Sequence, residues 1–218
     1  MTSEEAIDVL NGYCKMIFIL LFSIVVVSLA TKISYRNYRA SDANEVAKLC
    51  CDVFDGPFQP YDILAKNLVI NNHRKQLEDR YNDKVNGAVS HAMIVGTTND
   101  NEVISFLEVG LLPSPIPVKV EWNGVETDTT VDVPYLGNVL VSETYRRQGI
   151  GSNLIKIGLK VAEKWKYDKL YLAVDIDNTI AFDLYKKIGF QVILDERDLI
   201  NRNLKKKCRI FMAKDVAV

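Results

Sequence analysis

The most constraining feature of the chain is the hexapeptide Arg146-Arg147-Gln148-Gly149-Ile150-Gly151. It stands between a strand-forming run at residues 133–141 (VPYLGNVLV) and an amphipathic helical run at 154–165 (LIKIGLKVAEKW). A strand that passes through glycines into a helix aims the first helical amides, which have no intrahelical acceptor, back into the turn with the helix dipole behind them. Such a turn suits an anion of the pyrophosphate kind. Two familiar versions fail on spacing: a dinucleotide fingerprint wants a third glycine where Leu154 stands, and a P-loop wants Gly-Lys followed by Ser or Thr, which is absent. Taken alone, the hexapeptide also fits an ordinary glycine-containing strand-to-helix turn.

The elements around it follow from periodicity. Residues 33–40 alternate as a strand, and Ser41-Asp42-x-x-Glu45 resembles a capping box opening a helix. Asp55-Gly56-Pro57 and Pro60 break that helix, and a polar one follows at about residues 61–86, with Ile63, Leu64, Leu68, Ile70 and Leu77 expected on its inner face. Residues 91–97 and 102–112 flank Thr98-Asn99-Asp100-Asn101 as an antiparallel hairpin, and the proline-bearing stretch 113–130 reads as a loop or small surface excursion. After the glycine turn come a strand at 169–176, a helix at 178–188 closed by Gly189, and short strands at 190–194 and 209–213. The order is β-α-α-β-β-β-α-β-α-β-β, an α/β domain.

Composition limits what such a domain does. Lys and Arg number 27 against 28 Asp and Glu, a net charge of −1, which leaves no excess to hold a polyanion; nucleic acid is not an expected partner. The cysteines, Cys14, Cys50, Cys51 and Cys208, form no C-x-x-C, and only His73 and His91 could assist them, so no metal site is expected. One segment departs from ordinary composition. Residues 16–30 (MIFILLFSIVVVSLA) are apolar but for two serines, and as a helix would span about 22 Å against a hydrocarbon core of about 30 Å. Acidic Glu4, Glu5 and Asp8 precede it, and Lys32, Arg36 and Arg39 follow, a distribution that favours an anchor with its C-terminal side in the cytosol. Ser28 and Ala30 would instead suit cleavage after Ala30. The expectation is a hydrophobic leader at residues 1–32 that meets a membrane through 16–30, with a cleaved signal or organelle presequence, plastid included, as the second choice. A single domain then occupies 33–218.

Two motifs together become recognisable. Val139-Leu140-Val141-x-x-x-Tyr145-Arg146-Arg147-Gln148-Gly149-Ile150-Gly151, followed by Asn178-x-x-Ala181-x-x-Leu184-Tyr185-Lys186-Lys187-x-Gly189-Phe190, resembles the GCN5-related N-acetyltransferase (GNAT) superfamily. The resemblance covers about residues 33–214. The segments Leu111-Leu112-Pro113-Ser114-Pro115 and Pro134-Tyr135-Leu136-Gly137-Asn138 look like the plastid-type branch, whose members acetylate lysines and protein N-termini.

The resemblance implies a mixed, mostly antiparallel sheet with a splayed central strand pair and helices on both faces. It implies that Val139, Leu140 and Val141 line the acetyl-CoA site, with main-chain groups at Val139 and Val141 pairing with the pantetheine arm and the acetyl carbonyl. Arg147, Gln148, Gly149, Ile150, Gly151 and Ser152 would present amides to the pyrophosphate, and Arg146 or Arg147 would add charge-assisted contacts. Asn178 would bond the pantetheine and also serve as a helix N-cap. Tyr185 matches the family's general acid, which protonates the departing thiolate. Transfer is direct, without a covalent enzyme intermediate, and Glu108 is the first candidate to take the amine's proton, with Asp132 the second. Glu143 stands where the family often has Pro. The implied activity is acetyl transfer from acetyl-CoA, without a metal, to an amine of a protein or peptide; the alternatives are a small-amine acetyltransferase and a non-catalytic acyl-CoA-binding module.

Overall fold

A computed structural model describes residues 32–56, 59, 62–85, 91–122, 125–199 and 208–216. The chain divides into two compact units, Met1–Ile33 and Ser34–Val218. The expected membrane segment at 16–30 lies outside the described residues, among which no helix is long and apolar enough to cross a membrane.

The second unit is built on a seven-stranded sheet in the order β1-β2-β3-β6-β7-β9-β8. Its strands are β1 (Ser34–Asn37), β2 (His91–Thr97), β3 (Val103–Pro113), β6 (Asp132–Val141), β7 (Lys169–Asp175), β8 (Gln191–Asp195) and β9 (Arg209–Asp215). Every neighbouring pair is antiparallel except β6 and β7, which run parallel. The helices are α1 (Ala43–Phe54), α2 (Ile63–Val85), α3 (Ile150–Lys164), α4 (Thr179–Ile188) and the short α5 (Glu196–Leu199).

The stretch read as a loop holds two strands. β4 (Val118–Trp122) and β5 (Val125–Thr129) pair antiparallel as a separate hairpin, with Trp122 opposite Val125. The alternation of Val118, Val120 and Trp122 with charged residues is the strand signal. The three prolines at 113, 115 and 117 obscure it, but they precede the hairpin.

Packing follows from strand alternation. On one face Tyr38, Val46, Ala47, Leu77, Met93, Val95, Phe106 and Leu140 form a core between the sheet and helices α1 and α2. On the other face α3 seats Gly158 against Leu136, Leu107 and Val109. The inner face of α2 differs from the sequence reading. Leu77 is fully buried and Ile70 and Tyr81 pack on the core, whereas Ile63, Leu64 and Leu68 are 64%, 81% and 70% exposed. Ile63 shares the face of Ile70 but sits two turns earlier, beyond the edge of the core, and Leu68 lies on the opposite side of the helix. Cys50 and Cys51 are buried and in no disulfide, and burial pushes the Cys50 thiol up to about 12, so it is an inert apolar residue.

Candidate active site

β6 is the strand on which the site is built. It pairs in parallel with β7 only at Tyr135↔Tyr171 and Leu136↔Leu172, while its antiparallel pairing with β3 continues to Val141↔Ser105. From Gly137 onward, one edge of β6 therefore has no strand beside it, in the middle of the sheet. The Ser142 amide donates to the Ile104 carbonyl at 2.8 Å, which fixes the alternation. Leu140 turns its main chain to Phe106 on β3, and Val139 and Val141 turn theirs to the open edge. Leu140 itself is buried in the core beside Phe106, so the structure assigns it to packing and does not bring it to the opening. The Val141 carbonyl accepts a hydrogen bond from Arg146 Nε at 3.2 Å.

The glycine turn comes next. A 3-10 turn at Glu143–Tyr145 leads to Arg146 in an extended conformation; Arg147 and Gly149 then take positive φ values of 64° and 77° before α3 starts at Ile150. Gly149 suits a left-handed position that an L side chain strains to adopt. The Asn153 amide makes the first helical bond, to the Gly149 carbonyl at 3.0 Å, so the amides of Ile150, Gly151 and Ser152 precede the ladder and have no acceptor within it. The Arg146, Arg147 and Gln148 side chains are exposed, and that of Ile150 is buried. Main-chain donors backed by two guanidinium groups make this a place for a multiply charged anion.

Gly151 ties three segments together. A Cβ placed on it would lie 3.3 Å from Leu184 Cδ2 and 3.9 Å from Val141 Cγ2, so the cradle, the open edge of β6 and helix α4 meet there. Tyr185, next to Leu184, is buried, and its ring stands edge-on to Phe190 with centroids 5.9 Å apart. Burial pushes its phenol up to about 12, which keeps it a proton donor at neutral pH. Asn178 caps α4, its Oδ1 accepting from the Ala181 amide at 3.1 Å, and it lines a pocket of about 320 Å³ with Asp175, Asp177 and Cys208. The N-cap role is thus filled by the side-chain oxygen, which leaves the amide nitrogen of Asn178 for a ligand.

Glu108, the first candidate to take the amine's proton, is not open to solvent. It is buried on β3, with Arg80 Nε of α2 at 2.7 Å from Oε1, His91 Nε2 of β2 beside the same oxygen, and Asn138 Nδ2 donating to Oε2. Burial alone would raise the carboxyl, but His91, Arg80 and the Asn138 amide outweigh it and hold it below the usual carboxylate range. Sequence reasoning missed Arg80, His91 and Asn138 as its partners. The signal was available: a lone acid within the apolar run VISFLEVGLL is bound to be buried and to need partners. Asp132 is exposed at the far end of β6, away from the opening.

Among the described residues, no group of three or more His, Cys, Asp and Glu could hold a metal ion. A profile described as Acetyltransferase (GNAT) family matches residues 59–190, more than half of the chain. An N-alpha-acetyltransferase of Sulfurisphaera tokodaii is 32% identical over 98 residues, 43% of this chain and 53% of that protein. The chloroplastic GCN5-related N-acetyltransferase 7 of Arabidopsis thaliana is 40% identical over 57 residues, 26% of this chain and 21% of that protein. The chain thus spans about half the length of the first relative and a fifth of the second. Arabidopsis thaliana NAA60 in complex with acetyl-CoA superposes with a TM-score of 0.58 at 18% identity, over 85% of this chain and 99% of that one, a likeness of fold. The PaiA N-acetyltransferase of Thermoplasma acidophilum in complex with coenzyme A does so with a TM-score of 0.57 at 15% identity, over 84% and 99%. With the strand opening, the glycine turn and the helix of Tyr185 all falling inside the matched profile, the chain belongs to the GNAT acetyltransferase family.

Proposed function

We propose that the chain is an acetyl-CoA-dependent N-acetyltransferase that acts on an amine of a protein or peptide, an N-terminal α-amine or a lysine ε-amine. The observation that carries this reading is the meeting of Val141, Gly151 and Leu184 at one point, where the open edge of β6, the glycine turn and α4 adjoin, with Tyr185 buried next to Leu184. Acetyl-CoA supplies the activated acetyl thioester. The amides of Gly149 to Ser152, with Arg146 and Arg147, hold its pyrophosphate. Val139 and Val141 offer main-chain groups to the extended arm as a neighbouring strand would, and Asn178 adds an amide. The Arg146 contact on the Val141 carbonyl must give way for that pairing. Tyr185 hands its proton to the departing thiolate, and no Ser or Cys nucleophile is needed.

The protein or peptide acceptor is supported by the names of the relatives, N-alpha-acetyltransferases of Sulfurisphaera tokodaii and Danio rerio among them. The test is mass spectrometry of a peptide library incubated with the purified chain and acetyl-CoA. Acetylated N-termini or lysines are expected; acetylation of free small amines alone would move the acceptor to that class, and acetyl-CoA binding without turnover would leave a non-catalytic module. The division into a leader at 1–32 and a domain at 33–218, with residues 16–30 holding the chain at a membrane, is part of the same proposal. Two relatives are named chloroplastic, which supports the organelle presequence as its alternative. A mature chain beginning at Thr31 by N-terminal sequencing would refute the anchor.

A further inference from the structure

β6 bulges at the same place where it leaves β7. Pairing with β7 ends at Leu136↔Leu172, and the register with β3 shifts between Phe106↔Leu140 and Glu108↔Gly137, so Asn138 and Val139 together face the single residue Leu107. Neither neighbouring strand holds this point through its ladder. Asn138 also sits at φ 48°, in the left-handed region that Asn adopts more readily than other non-glycine residues. Its side chain anchors it there: Nδ2 donates to Oε2 of the buried Glu108, whose other oxygen is flanked by Arg80 on α2 and His91 on β2. The carboxylate is fixed from two further elements and cannot swing to follow a moving strand.

We propose that Glu108 is a positioning residue which, through Asn138, holds the bulge that turns Val139 and Val141 to the open edge, and that it does not accept the substrate's proton. The inference rests on the reading of that edge as the acetyl-CoA site. It explains why a carboxylate stays buried with contacts on both oxygens. A base must be able to take a proton and release it, and this one is occupied by partners that favour its charged form.

The experiment is an exchange of partners in the full chain. Asn138→Asp sets two carboxylates against each other and should raise the KM for acetyl-CoA by about tenfold with a smaller change in kcat. It should also speed amide hydrogen exchange at Leu140 and Ser142, whose amides face β3, in the ligand-free protein. Combining it with Glu108→Gln restores a donor and a carboxylate in reversed order, and both quantities should return to within about threefold of the original chain. Glu108→Gln alone, which keeps an acceptor for Asn138, should change kcat by less than about threefold. Two results would overturn the proposal: a double variant as impaired as Asn138→Asp, or a Glu108→Gln chain that loses about a hundredfold in kcat at unchanged KM, the signature of a proton acceptor. If Asn138→Asp does not fold, Asn138→Gly accepts the same backbone without the amide, and exchange at Leu140 and Ser142 no faster than in the original chain would likewise overturn it. Exchange needs no turnover. An original chain that neither binds nor turns over acetyl-CoA would therefore sink the acetyltransferase reading while the exchange rates still decide the tether.

Discussion

Strand β6 leads two different lives along ten residues. From Asp132 to Leu136 it is an interior strand, with β3 on one side and, at Tyr135 and Leu136, β7 on the other. From Gly137 to Val141 it keeps β3 alone, and its second edge faces a gap. A gap inside a sheet leaves main-chain donors and acceptors without partners, a cost that a fold accepts only where something else is meant to pair with them. On the proposed function, the first half of the strand serves stability and the second a ligand. Substitutions on the two halves should separate the two properties.

The largest expected effect lies beside the open half. Tyr185→Phe keeps the ring that packs on Phe190 and removes only the hydroxyl. Turnover should fall by about a hundredfold or more while acetyl-CoA binding and the denaturation midpoint stay put. Because burial holds the phenol up at about 12, the original chain should show no rate loss from Tyr185 ionisation near pH ~10, where an ordinary tyrosine titrates. Unchanged turnover in the variant would remove Tyr185 from the mechanism and leave the open half without a proton donor.

The closed half predicts the reverse pattern. Gly158 on α3 lets the helix press on β6, and a Cβ there would lie 2.8 Å from Leu136 Cδ1 and 3.6 Å from Leu107 Cδ2 and Val109 Cγ2. Gly158→Ala should destabilise by about 1–3 kcal/mol through overpacking. The better helix propensity of Ala returns less than about 1 kcal/mol of that. Urea denaturation measures the loss, and kcat and the KM for acetyl-CoA in the folded fraction should hold. A variant of unchanged stability but weakened acetyl-CoA binding would show that the two halves are not independent.

The same division governs what the sequence discloses. The glycine turn was legible because its signal is local, glycines at fixed spacing between a strand and a helix, whereas the splay of β6 and the role of Tyr185 were implied only by the resemblance to the GNAT superfamily. The order of elements was legible for a similar reason, since periods of two and of 3.6 residues are written in consecutive positions. The tether of the bulge was not. It joins Arg80, His91, Glu108 and Asn138, which no short motif connects and which are brought together by the pairing of β2 with β3 and β3 with β6 and by the packing of α2 on the sheet. The inner face of α2 failed for a related cause. Ile63 has the right helical phase, but phase cannot say where along its axis a helix runs past the core. Leu140 failed because main-chain direction alternates along a strand, and the bulge resets that alternation just before it.

The smallest effect should come from a change that touches neither half. Asp42, at the end of the 3-10 turn before α1, accepts from Arg36 Nη1 and Nη2 at 2.7 and 2.9 Å and from the Arg39 amide at 2.7 Å. Burial pushes its carboxyl up, but the Arg36 bonds and the Arg39 amide prevail and leave it below the usual range. A folded-state pKa depressed in this way stabilises above the unfolded value, near pH 4, and that contribution fades as the pH falls through the folded one. Asp42→Asn should therefore lower stability at pH 7 by less than about 1 kcal/mol, since Asn keeps an acceptor and Arg36 is partly solvated. The difference from the original chain should shrink below about pH 4. Because β1 is an edge strand separated from β6 by β2 and β3, the KM for acetyl-CoA should not move at all. A shift in KM would mean that the opening in the middle of the sheet is sensitive to its far edge. The two lives of β6 could then no longer be assigned to the strand's own pairing.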